Sequence, residues 1–121
     1  MAKNYIQPGK TINAAATDPE TPISGDPVRV GDIAGVALTN EGEGGNDAGK
    51  SSIATEGVFT LPVKGVNGSG NSAVSLGATL YYVDADTPKL SKKDTGYKFG
   101  KALGTVGSGA TAEIPVLLIQ G

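Results

Sequence analysis

The chain has 121 residues, with 12 carboxylates against 10 basic side chains, 19 glycines, seven prolines, and neither cysteine nor histidine. Without those two residue types it cannot form a disulfide, a Cys/His zinc site or a histidine-activated nucleophile. A net charge of −2, with Arg29 as the sole arginine, argues against a dedicated phosphate-backbone binder, and 27 Leu, Ile, Val or Phe side chains suffice for one domain with a thin core.

Residues 1–24 hold few apolar anchors: Tyr5, Ile6, Ile12 and Ile23. Pro8-Gly9 makes a turn, and Pro19 and Pro22 hold their neighbourhoods extended. The stretch reads as an N-terminal arm leading into a β-rich domain over residues 25–121. Within the arm, "TINAAAT" at 11–17 is the best helix candidate, with an extended segment as the equal alternative. No basic stretch followed by an apolar run opens the chain, and the longest apolar run, 116–119, is far below a membrane span. The expectation is a protein made in a cytoplasm, with no membrane partner.

Glycine and proline then punctuate short β-branched and aromatic runs, a pattern of strands and turns. Val28 and Val30 alternate with Arg29, and Ala34, Val36 and Leu38 share a face. Residues 41–50 form a Gly-rich acidic loop, and 51–55 a weak strand. Phe59, Leu61 and Val63 line one face of the next strand, where Pro62 points to an edge or a bulge. Residues 65–72 read as a long turn, with Asn67-Gly68 favouring a tight reversal. Leu80 and Tyr82 oppose Tyr81 and Val83; Tyr97, Phe99, Lys101 and Leu103 share a face. In the last strand Ala112, Ile114, Val116 and Leu118 face one way. Leu117 and Ile119 face the other, where a solvated sheet carries polar residues. Pro115, lacking a donor, argues against a fully paired central strand and points Leu117 and Ile119 to a subunit interface. About eight short strands at this spacing predict an all-β fold, a small sandwich or barrel.

Three patterns carry possible chemistry. Residues 44–51, "GGNDAGKS", fit the phosphate-binding P-loop G-x-x-x-x-G-K-[ST]. That loop needs a buried strand before it and a helix after it, and Gly57 stops any helix within two turns. The match therefore reads as accidental. Asp84, Asp86 and Asp94 have some of the spacing of a calcium loop, without its turn glycine or terminal glutamate. They read as a polar hairpin tip. Tyr81, Tyr82, Tyr97 and Phe99 could stack carbohydrate or bases, but fit ordinary core and cross-strand pairs better.

Four segments recur together in a known order: "MAKNYIQPGKTI", "SGDPVRVGDIAGVAL", "ATEGVFTLPV" and "LGATLYYVD…FGKALG". In that order they resemble the capsid cement, or decoration, proteins of tailed bacteriophages, a family formerly labelled a predicted phage recombinase. The resemblance covers nearly the whole chain. Its motifs are structural, and the acidic loop 41–50 matches no feature of it.

The resemblance implies a non-catalytic virion protein on the outer capsid surface that links neighbouring major capsid subunits, gathered as a homotrimer. It implies no cofactor, no small-molecule substrate and no nucleic-acid partner. Ala2, Lys3, Asn4, Tyr5, Ile6 and Gln7 are the expected capsid-binding arm, adding backbone hydrogen bonds to a capsid strand. The alternatives are another virion or tail component and, against the strand pattern, a nucleotide-binding recombinase.

Overall fold

The computed structural model describes residues 11–19, 21–43, 45 and 49–120. Among them the chain forms ten strands and no helix. Strands β1 (Thr11–Ala14), β2 (Pro27–Val30), β3 (Ile33–Ala37) and β4 (Ser51–Ala54) make an antiparallel sheet in the order β1-β4-β3-β2. Strands β5 (Val58–Asn67), β6 (Gly70–Asn71), β7 (Thr79–Tyr82), β8 (Leu90–Lys92), β9 (Tyr97–Ala102) and β10 (Thr111–Leu118) make the second sheet. Its order is β10-β9-β7-β8-β5-β6, and β10 also pairs with β5, closing five strands into a barrel. The all-β expectation holds, in its barrel form.

Burial follows from alternation. Leu61 and Val63 on β5, Leu80 and Tyr82 on β7, and Ile114, Val116 and Leu118 on β10 point inward. Leu90, Phe99, Ala102, Val74 and Val106 complete that core, and Tyr82 stacks on Phe99 with centroids 6.1 Å apart. Each fully buried large apolar side chain contributes about 1.5–3 kcal/mol. β3 joins the two units. Ala34 and Val36 belong to the barrel's core, while Ala37 packs with Val28 and Ile53 in a second cluster. Gly35 lies between, because a Cβ there would meet Ile53 Cγ2 and the Ala54 carbonyl.

Several local expectations change. The helix candidate over 11–17 gives way to its extended alternative: residues 11–14 are strand β1, paired in register with β4 (Thr11 opposite Ala54). The shared face of Tyr97, Phe99, Lys101 and Leu103 breaks. The β7–β9 ladder pairs Leu80 with Gly100 and then Tyr81 with Lys98, leaving Phe99 as the extra residue of a bulge. Phe99 is fully buried, whereas Tyr97 and Leu103 are exposed. Leu38, just past the end of β3, is exposed too.

Pro62 and Pro115 sit in strands that are paired on both sides. β10 is bonded to β5 on one side and β9 on the other. Leu118 N–H donates to Gly57 on the β5 side, and Ile119 N–H to Phe99 on the β9 side. By alternation the Pro115 nitrogen faces β9, where the ladder is ending: Leu103 N–H donates to the Pro115 carbonyl at 2.9 Å, just beyond β9. The missing donor thus removes one terminal bond and leaves the ladder whole. Pro62 likewise lies opposite Glu113, one residue before β5 meets β8.

Candidate docking face

The outward side of β5, β10 and β9 carries an apolar strip. Leu117 sits directly opposite Val58 across one ladder and opposite Lys101 across the other. Val58 is 53% exposed, Leu103 40% and Leu117 38%. Leu103 is tied by its N–H to Pro115, itself exposed and opposite Thr60. Ile119 follows Leu117 on the same side and is half-buried. Lys101 borders the strip and donates to the Thr79 hydroxyl. A barrel's solvated face is ordinarily polar, and contiguous apolar exposure marks an interaction surface.

Of the residues singled out from sequence, the structure therefore sets Leu117 among exposed apolar neighbours, with Ile119 beside it. Ala2, Lys3, Asn4, Tyr5, Ile6 and Gln7 lie outside the described residues. Val58 and Leu103 were not foreseen. Val58 stands one residue off the Phe59 face, so its outward direction was readable; the direction of Leu103 was hidden by the bulge at Phe99.

The patterns with possible chemistry resolve locally. In the P-loop match, residues 44 and 46–48 lie outside the described residues, and Ser51 is a buried residue of β4. A strand thus stands where a phosphate cradle needs a helix N-terminus. At the tip after β7, Lys89 pairs with Asp84 at 3.1 Å and Lys93 with Asp86 at 2.8 Å. The Tyr82 hydroxyl donates to Asp84 Oδ1 at 3.0 Å. Burial, and then the Asp84 carboxylate, push the Tyr82 hydroxyl far above the ordinary tyrosine value. Burial raises the Asp84 carboxyl, but Lys89 and the Tyr82 hydroxyl outweigh it and hold it below the usual value. Tyr82 and Phe99 are core, as the core reading of these rings expected, whereas Tyr97 is exposed.

Tyr97 meets the sole arginine. Arg29 on β2 is 3% exposed, and its guanidinium lies 3.5 Å from the centroid of the Tyr97 ring on β9. The backbone of Arg29 is held by Asp18, whose carbonyl accepts the Arg29 N–H at 2.8 Å. Arg29, Asp32, Gly96, Tyr97 and Lys98 line a cleft of about 390 Å³ where the two β units meet. Charge is also divided between the units: residues 11–57 carry eight carboxylates against Arg29 and Lys50, and residues 58–121 carry six lysines against four carboxylates.

A family model described as phage cement protein matches residues 6–118. Neither the curated proteins nor the solved structures hold a match to the chain.

Proposed function

The chain belongs to the phage cement protein family, whose role is structural and tied to the phage capsid, and from that premise we propose that it binds the outer surface of a tailed-phage shell and links neighbouring major capsid subunits. It acts as a homotrimer whose subunits meet through the strip around Leu117 and Ile119. Of the 1–24 arm, the part ahead of β1 reaches the shell, with Ala2, Lys3, Asn4, Tyr5, Ile6 and Gln7 adding to a capsid strand, while residues 11–14 belong to the first sheet. The protein catalyses nothing and needs no cofactor.

The observation that carries this reading is the apolar strip Val58–Leu117–Pro115–Leu103 on an otherwise well-formed barrel. Burying Leu117 and Ile119 contributes about 1.5–3 kcal/mol each per subunit. Association itself costs several kcal/mol, so shell binding helps to gather the subunits. A ligand that binds only the assembled shell stabilises it by mass action, and several weak contacts held together act as one strong one.

The test uses empty shells of the phage that encodes the protein. Wild-type protein decorates them in groups of three and raises their melting temperature. Leu117→Asp with Ile119→Asp leaves a folded protein that fails to form those groups. Deleting residues 2–7 leaves the free protein's melting temperature nearly unchanged and lowers shell occupancy. Trimers of the double mutant at full occupancy place the interface elsewhere, and full occupancy by the truncated protein removes the arm from the contact.

A further inference from the structure

We propose that the cleft at the junction of the two β units is a receptor for a single carboxylate side chain of the partner protein, with Arg29 and Lys98 as its cationic walls. The inference rests on the cement reading for the identity of that partner. The site itself is argued from four features.

The first is an unmet need. Arg29 is buried, lines the cleft, and its Nε has no hydrogen-bond partner among the described residues. A guanidinium offers five N–H donors in a fixed fork, and a buried donor left unpaired is costly. Among the described residues its side chain donates one bond, from Nη2 to Asp32 Oδ1 at 3.3 Å. That is long for a charge-assisted bond.

The second is the nature of the occupant already there. Asp32 is fully exposed, so its pairing with Arg29 is weak and easily exchanged. It stands in for an incoming carboxylate and shows which chemistry the guanidinium accepts. The third is Lys98, exposed on the cleft wall and without a partner among the described residues. The fourth is Tyr97, whose ring centroid lies 3.5 Å from the guanidinium carbon and which is 56% exposed. The ring covers a face of the guanidinium, and the N–H donors lie in its plane, so the stacking leaves them directed toward a carboxylate for bidentate pairing.

A phosphate chain fits less well. The unit on Arg29's side of the cleft is acidic, with eight carboxylates in its sequence, which disfavours a polyanion running across it more than one side chain presented at the junction.

The single arginine makes the test direct, because the Arg29 Nε–Hε signal in a nitrogen-15 spectrum is unique. Adding N-acetylglutamate moves that signal saturably, whereas sodium chloride at equal ionic strength does not. Asp32→Ala, which removes the internal competitor, tightens this binding about fivefold, and Lys98→Glu weakens it about tenfold. Both positions are exposed, so both variants fold. The same variants change affinity for empty shells in the same two directions. An unmoved Arg29 signal overturns the site. So does weaker binding by Asp32→Ala, or a preference for inorganic phosphate over N-acetylglutamate. Wild-type protein that ignores shells yet shows the carboxylate response removes the cement reading and keeps the site.

Discussion

The Gln120 side-chain amide pairs with the backbone of Ala34 as a neighbouring strand would. Its Oε1 accepts the Ala34 N–H at 3.1 Å, and its Nε2 donates to the Ala34 carbonyl at 2.7 Å. The same Nε2 also donates to the Thr55 carbonyl at 2.7 Å. One side chain past the end of β10 thus satisfies β3 and fastens the first sheet to the barrel. Gln120→Ala is expected to cost about 1–3 kcal/mol, because it strands backbone groups that are partly buried. Gln120→Glu loses the donor and restores little. Denaturant unfolding of the three proteins measures both.

Gly100 on β9 has no room for a side chain. A Cβ there would run into the Leu117 carbonyl oxygen and press on Val116. Gly100→Ala is expected to destabilise by at least about 1–3 kcal/mol, since backbone must move. Gly107→Ala is the control: its Cβ would meet only Ala110 at an ordinary 3.7 Å. That variant should lie within about 0.5 kcal/mol of wild type.

Tyr82 sets an alkaline limit. Its folded-state value is raised above the ordinary tyrosine value near 10. The neutral hydroxyl therefore stabilises the fold fully below about pH 10, and this contribution is lost as pH rises further. In an absorbance titration Tyr82 should ionise only as near-ultraviolet circular dichroism collapses. Tyr82→Phe should remove that lagging tyrosinate and cost about 0.5–1.5 kcal/mol through the lost bond to Asp84. A Tyr82 that titrates with the exposed tyrosines while the fold persists contradicts its buried pairing.

Lys50 precedes a strand, so the P-loop match is expected to be inert. Lys50→Ala should leave stability within about 0.5 kcal/mol. Calorimetric titration of wild type with ATP and magnesium should give no saturable heat. Micromolar binding lost in Lys50→Ala would overturn this.

What the sequence made legible was alternation. Leu61, Val63, Leu80, Tyr82, Ile114, Val116 and Leu118 all face inward as their period of two requires. Leu117 faces outward for the same reason. Alternation fails at the first extra residue: the Phe99 bulge reversed Lys101 and Leu103 relative to it, while Tyr97, opposite the buried Tyr82, is exposed at the first position of its strand. Closure was illegible as well, because which edges meet is a long-range matter. Pro115 argued for an edge, yet β10 is bonded on both sides. Arg29 was visible as a lone arginine, but its partner Tyr97 lies on another β unit. Gln120 gave no signal, since nothing near it in sequence needs its amide.

Barrel closure bears on the order in which the molecule can form. β10 lies far along the chain from β5, which it seals, and Gln120 stands 86 residues from Ala34. Loops that long must be closed before their contacts return any stabilisation, which places the protein among slow-folding β topologies. Until residues 111–120 emerge from the ribosome, β5 and β9 each present a bare edge that other chains can join. Copies crowded on one message are most exposed to mispairing in that interval, and fusions that delay or obstruct the last strand are expected to aggregate before they misbind.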